Sequence, residues 1–376
     1  MITVTLYSDA PIRGGGERYL ELLATGFDPR DVTPHVVLST APDLDDLAGS
    51  LAARGVSIER LPTVVTLSEV RSLWRVFRRL AWRRSNVVHF NLVDPRACNA
   101  AIVAAAAAGH RALIATEHLP QSPFDSKPTP TRHRLASSLL RRRIAVSAAG
   151  KDAMIARGVK PETIDVVRNG VVDPGAPSET ERIEARRILA PDATGPIVGF
   201  VGRLEAQKRP EVFLEAARKI AIARRDVSFA VIGDGSTRDA LESRVRSDEA
   251  LRPRTRFLGA RSDVLAFYPG LDAMLVTSSY EGQPLVVIEA GFRETPVVAG
   301  RIAGMDEVIA DGETGRLVPP DDADAYAVAA LELLAAPERA RVVGAAARLR
   351  MLALHSVAPM VENTVAAYRK LLGAGR

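Results

Sequence analysis

The stretch SSYEGQPLVVIEAG, residues 278–291, carries two glutamates, Glu281 and Glu289, with seven residues between them and a proline placed to start a helix. Pro284 near the first helical position puts Glu281 just ahead of the helix and Glu289 inside it, and the run Gly282, Gln283, Pro284, Leu285 then forms the N-terminus with its free amides. A nucleophile and acid pair needs carboxyls ~5 Å apart, whereas eight helical residues span ~12 Å, so these two groups read as ligand-holding acceptors. A carboxylate before a helix start can grip hydroxyls while the amides take an anion. The plain alternative is one buried cap and one surface charge.

A second constellation is PIVGFVGRLEAQKRP, residues 196–210, in which an apolar strand ends at Gly202 and a short loop brings Arg203 and Lys208 to a proline suited to opening a helix. Two cations beside a helix N-terminus form an anion site sized for a diphosphate, against the alternative of a solvated basic loop. GGGER, residues 14–18, follows the first expected strand, and its glycines allow close approach of the backbone to a ligand. VIGDGSTRD, residues 231–239, is a further strand-to-glycine turn, equally read as an ordinary turn with Ser236 or Thr237 capping a helix. No G-x-G-x-x-G follows the first strand, and no G-x-x-x-x-G-K-[ST] occurs, which weakens nicotinamide and P-loop readings.

These residues need elements to hold them. Short β-branched runs alternate with helical patterns throughout: Ile2–Tyr7, His35–Ser39, Val87–Phe90, Ala112–Thr116, Ile144–Ser147 and Ile164–Val167, then Ile197–Val201, Ser228–Ile232, Arg256–Leu258, Ala273–Val276, Val297–Ala299 and Gly315–Val318. That alternation predicts an α/β fold of two Rossmann-like, doubly wound parallel-sheet domains facing across a cleft, with ligands at the carboxyl ends of the strands. The polar, proline- and glycine-rich VVDPGAPSETE after Asn169 reads as the linker. The expected division is residues 1–175, residues 190–355, and a C-terminal helix over 356–376 packing back on the first domain.

The bulk composition agrees. A chain of 376 residues exceeds one core, and 47% hydrophobic with 25% charged residues is globular composition. Cys98 is the single cysteine, so no intramolecular disulfide or cysteine metal cluster can form. The start MITVTLYSDAPIRGG lacks a signal peptide's regions, and the longest apolar tract, Ala100–Gly109, is half of the ~20 residues a spanning helix needs; the reading is cytoplasmic. A net charge of +5 suits an anionic partner. Nucleic acid is disfavoured, because aromatics total 5% with no interleaved aromatic and basic motif.

Taken together, the motifs resemble the retaining glycosyltransferases of the GT-B family 4. The glutamate pair matches that family's EX7E element, GRLEAQK its G-R-L-x-x-x-K, and RNGVVD at 168–173 its N-G-V-D; GGGER, TEHLP at 116–120, RFLGARSDV at 256–264 and GETGRLVPPDD at 312–322 fall in the family's order. The resemblance implies a nucleoside diphosphate sugar as donor, UDP- or GDP-linked, and no resident cofactor. It implies Gly202, Arg203 and Lys208 at the diphosphate, Glu281 at the sugar with the Gly282 to Leu285 backbone, Glu289 at the ribose, and Leu258 and Gly259 at the base. His118 matches the histidine that reaches the donor sugar, Gly15 and Gly16 match the loop closing on the diphosphate, and Asn169 belongs to the N-G-V-D element. The chain departs from the family where members read H-x-H and it has His89, Phe90, Asn91, and where Gly291, Phe292 and Arg293 replace small residues and Ala303-Gly304 a glycine pair.

The mechanism so implied is front-face transfer to a glycan, lipid or small-molecule hydroxyl, with catalysis mainly electrostatic at the leaving diphosphate. The competing readings are an epimerase on the same scaffold and a non-catalytic nucleotide-sugar-binding protein. Two D-x-D triplets, Asp43–Asp45 and Asp322–Asp324, read as helix-opening acids, so transfer is expected to need no metal. VRSLWRVFRRLAWRR, residues 70–84, sets Leu73, Trp74, Phe77, Leu80 and Ala81 at helical spacing against six arginines; it reads as a sheet-covering helix or as a peripheral contact with an anionic membrane.

Overall fold

The computed structural model describes residues 1–64, 68–119 and 131–373; Pro120 of TEHLP and residues 374–376 lie outside them. The chain forms two compact units, Met1–Val172 joined by the segment from Ser356, and Asp173–His355.

Among the described residues the first unit holds seven parallel strands: β1 (Ile2–Tyr7), β2 (Val32–Ser39), β3 (Ser57–Leu61), β4 (Val87–Leu92), β5 (Leu113–Glu117), β6 (Arg142–Ala145) and β7 (Ile164–Val166), in the order β3-β2-β1-β4-β5-β6-β7. The second holds six: β8 (Ile197–Val201), β9 (Ser228–Ile232), β10 (Thr255–Gly259), β11 (Ala273–Val276), β12 (Val297–Gly300) and β13 (Arg316–Val318), in the order β10-β9-β8-β11-β12-β13. Both are doubly wound. Winding reverses between β1 and β4 and between β8 and β11, which are the positions where such sheets bind ligands.

The strand edges differ from the sequence reading where charge interrupts the apolar pattern. β3 was not expected, because Ser57, Glu59 and Arg60 dilute its hydrophobic residues; it is an edge strand, where charge blunts unwanted pairing. β6 starts at Arg142 rather than Ile144, since Arg142 is paired to Asp165 at 2.7 Å and the Arg143 guanidinium donates to Ser137; Ser147 leaves the strand and caps the helix Ala148–Ala156. The two acidic triplets open helical segments: Asp43 lies in the turn Pro42–Leu44, Asp45 begins the helix Asp45–Ala53, and Asp322 caps Ala323–Ala335 by accepting from the Ala325 amide at 3.0 Å.

The C-terminal helix Val357–Gly373 is part of the first unit. Met360, Val361, Val365 and Leu371 enter the core beside Leu20 and Leu23 of the helix Gly15–Gly26. Tyr368 is fully buried with its hydroxyl 2.6 Å from His89 Nδ1, and His89 Nε2 lies 2.7 Å from the Thr116 hydroxyl. Burial pushes the His89 imidazole down to about 3, so the ring is neutral and donates through one nitrogen while accepting through the other. Tyr368→Phe strands that second nitrogen and is expected to cost about 1–3 kcal/mol in urea unfolding; an unchanged midpoint would mean that the bond contributes nothing to holding the helix.

Candidate functional site

In the second unit the site is assembled by the loop after β8 and the segment after β11. Gly202 closes β8 by donating to the Ile232 carbonyl at 3.0 Å, and the chain then turns so that the Leu204 amide reaches the Asp234 carbonyl at 2.9 Å. A side chain on Gly233 would lie 1.9 Å from the Gly202 carbonyl oxygen, so glycine is obligatory where these two strand ends cross. The loop ends at Arg209, which is left-handed at φ 51, and Pro210 opens the helix Pro210–Ala223.

This loop is stitched to the residues that follow β11. The Thr277 hydroxyl sits 2.9 Å from the carbonyls of both Lys208 and Arg209. The Ser279 amide donates to the Gln207 carbonyl at 2.9 Å, and the Gln207 side chain returns a bond to the Tyr280 carbonyl at 3.1 Å. Held this way, Lys208 Nζ pairs with the Glu281 carboxylate, the two side chains only 16% and 6% exposed. Arg203 is exposed, with one guanidinium nitrogen 3.1 Å from the Gln207 amide oxygen. Glu281 is followed by Gly282, Gln283, Pro284 and Leu285, all buried, and the helix runs Leu285–Phe292. Pro284 caps that helix, one position earlier than the sequence suggested; its φ of −72 and ψ of 116 are extended.

Both glutamates are buried, which excludes the reading of one as a surface charge. Glu289 accepts from the Tyr268 hydroxyl at 3.0 Å, and burial beside that carboxylate pushes the Tyr268 phenol well above its usual range. At the end of β10 the Gly259 carbonyl accepts from the Gly233 amide at 2.8 Å, so Leu258 and Gly259 adjoin the Gly202 loop through Gly233. The aspartates of the second D-x-D are engaged elsewhere: Asp322 as a cap and Asp324 with Lys219 at 2.6 Å.

The first unit places its residues at the ends of β1, β4 and β5. The helix Gly15–Gly26 starts at the Gly14 cap, where the Gly14 amide donates to Glu17 at 3.1 Å and the Ser8 hydroxyl to the same carboxylate at 3.0 Å. His118 follows β5 and continues its ladder, donating its amide to the Leu92 carbonyl at 3.0 Å. Its ring packs edge-on against Tyr19, centroids 4.7 Å apart, and burial holds the imidazole down to about 3. Its Nε2 lies 2.6 Å from the Asn91 amide oxygen. Asn169 is also in this unit, buried, and the next residue's amide faces Met360 of the C-terminal helix. Thr277, Gln207, Tyr268 and Tyr19 escaped the sequence reading. Thr277 alone carried a signal, a polar residue directly after a parallel strand.

Two family models match the chain: glycosyltransferase family 4 over residues 13–173, and glycosyl transferases group 1 over residues 195–336, together well over half of it. Among curated relatives, a D-inositol 3-phosphate glycosyltransferase of Corynebacterium urealyticum is 34% identical over 44% of this chain and 43% of its own length. An alpha-maltose-1-phosphate synthase of Mycolicibacterium smegmatis is 32% identical over 61% of this chain and 62% of its own. The chain thus spans about half the length of the curated relatives it matches. Among solved structures, Anabaena HepE in complex with UDP and glucose superposes with a TM-score of 0.85 at 20% identity, covering 98% of this chain and all of HepE. Sucrose-phosphate synthase of Thermosynechococcus elongatus gives 0.80 at 21%, each chain fully covered. The two parallel sheets are those of the GT-B fold, and the chain belongs to the group 1 glycosyltransferases of family 4.

Proposed function

We propose that this protein is a retaining glycosyltransferase that moves a sugar from a UDP- or GDP-linked donor to a hydroxyl acceptor by metal-independent front-face transfer. The observation that carries this reading is the pairing of Lys208 with Glu281, which brings the basic loop after β8 and the acidic helix start after β11 into one contact. A diphosphate lies at Gly202, Arg203 and Lys208, and the sugar lies against Glu281 and the backbone of Gly282 to Leu285. Leu258 and Gly259 meet the base, and Glu289 takes the ribose. His118 accepts from a sugar hydroxyl, and Gly15 and Gly16 give backbone access to the diphosphate. The relatives named for glycosyl transfer, and HepE solved with UDP and glucose, support trying UDP-hexoses first.

In this reaction the anomeric carbon loses its bond to the diphosphate oxygen and gains one to the acceptor oxygen on the same face, while the acceptor proton passes to the departing diphosphate. Charge grows on the leaving group, and Arg203, Lys208 and the free amides of the helix start meet it there. The cations supply the charge neutralisation for which a metal would otherwise serve, and three aspartates of the D-x-D triplets have other partners: Asp45 takes Arg60 at 2.8 Å, Asp324 takes Lys219 and Asp322 caps its helix.

Lys208→Ala and Arg203→Ala should each weaken UDP by about ten- to a hundred-fold and UMP by less than about threefold, since each removes one charge-assisted contact to the second phosphate. Titration calorimetry checks this; equal loss for both nucleotides would move the diphosphate elsewhere. Glu281→Gln should lower kcat by about ten- to a hundred-fold with UDP affinity within about threefold, because the lost contact is to the sugar. Nucleotide release measured with and without acceptor distinguishes transfer from epimerisation.

A peripheral membrane contact through the helix Val70–Trp82 belongs to the same reading. Among the described residues no helix is long and apolar enough to cross a membrane. The helix buries Val76 and Leu80 in the core; Trp74, expected on that buried stripe, is instead turned outward, 58% exposed, stacked on Phe77 with centroids 5.2 Å apart, and Trp82 is 75% exposed. Core packing therefore uses only part of the apolar face, leaving two tryptophans beside the exposed Arg71, Arg75 and Arg78. Arg79 is held by Glu59 at 2.6 Å. Binding to phosphatidylserine vesicles should weaken with salt and fall when Arg75 and Arg78 become glutamine; partitioning unchanged in that variant would leave the helix a structural role.

A further inference from the structure

Asn91 stands where family members carry the second histidine of H-x-H, and the structure gives it a task. It lies on β4 opposite Thr116 of β5, two residues before His118, and its side-chain amide bonds in two directions. The amide nitrogen donates to the Gly16 carbonyl at 3.0 Å, and the amide oxygen is 2.6 Å from His118 Nε2. The first bond fixes which end of the amide is which, because a carbonyl can only accept. The atom facing the ring is therefore an acceptor, so Nε2 must carry the proton. The imidazole is neutral, and Nδ1, which bonds to no described residue, is left with its lone pair.

The three groups are closely packed. A side chain on Gly16 would come within 2.7 Å of Val93, 3.3 Å of the Asn91 amide nitrogen and 3.4 Å of His118 Cδ2, and Tyr19 supports the ring from its edge. A histidine at position 91 could switch between donor and acceptor; asparagine, with its nitrogen committed to Gly16, cannot.

We infer that Asn91 is a positioning residue that locks His118 as the Nε2–H tautomer, so that Nδ1 accepts from a hydroxyl of the donor sugar and rejects a carboxylate at the same place. The preferred donor is then a neutral hexose rather than a uronic acid, whose carboxylate would face a lone pair and have no proton to offer. This inference rests on the proposed function for its substrate but on geometry alone for the tautomer.

Two-bond proton–nitrogen correlation on protein with labelled histidines, His118 identified by His118→Gln, reads the tautomer in the unaltered chain at mildly alkaline pH. A bare Nδ1 and protonated Nε2 are expected, with Asn91→Leu mixing the tautomers and Asn91→Asp, which keeps an acceptor, retaining the parent pattern. In the parent, UDP-glucose should bind about tenfold more tightly than UDP-glucuronate; Asn91→Leu should shrink that gap, leaving UDP itself unaffected. A proton on Nδ1 in the parent, a tautomer indifferent to Asn91→Leu, or equal binding of the two sugars would overturn the inference. Failure of the parent to bind UDP-glucose and GDP-glucose alike would count against the proposed function, while the tautomer would still decide the role of Asn91.

Discussion

The ion pair of Lys208 and Glu281 joins residues 73 positions apart, and most of the second unit's site is arranged to make it possible. Two charges taken from water lose several kcal/mol of solvation each, which their mutual attraction recovers only when the geometry is held. Thr277, Ser279 and Gln207 supply that hold, each donating a side-chain hydrogen bond to a backbone carbonyl of the other loop. The Gly202–Gly233 crossing, where no side chain fits, fixes the start of the loop. A pair of this kind adds little net stability. Its consequence is a cation and a carboxylate held against each other at a helix start.

The first unit solves a related problem with neutral groups. His89 and His118 both lie deep enough for burial to remove their charge, and each then has one donating and one accepting nitrogen whose identity its neighbours decide. Tyr368 and Thr116 flank His89, while Asn91 faces His118. The C-terminal helix thereby reaches, through Tyr368, His89 and Thr116, the strand that leads into His118. Both units place their polar residues where sheet winding reverses, β1 with β4 and β8 with β11, which is where the carboxyl ends of neighbouring parallel strands diverge and leave room.

Much of this was legible in the sequence because buried parallel strands are runs of β-branched residues bounded by polar turns. Ile2–Tyr7, Ile197–Val201, Ser228–Ile232 and Ala273–Val276 stand in the structure as read. β3 was not legible, since an edge strand with Glu59 and Arg60 lacks that signal. Within the site, Arg203, Lys208, Glu281 and Glu289 were visible through spacing and residue type. Tyr268 and Tyr19 were not, because their importance comes from what tertiary packing sets beside them. Asn91 was visible only as a departure from a pattern, and Trp74 was misplaced because helical periodicity cannot say how far around an apolar face the core extends.

A double-mutant cycle on UDP affinity, combining Lys208→Ala with Glu281→Gln, tests most directly whether the pair forms the diphosphate end of a donor site. Alone, Lys208→Ala leaves the Glu281 carboxylate buried, unpaired and facing the incoming diphosphate; removing that charge as well should restore about tenfold in affinity, a coupling of about 1.4 kcal/mol. Losses that simply add would contradict a shared site and separate the two residues into unconnected roles.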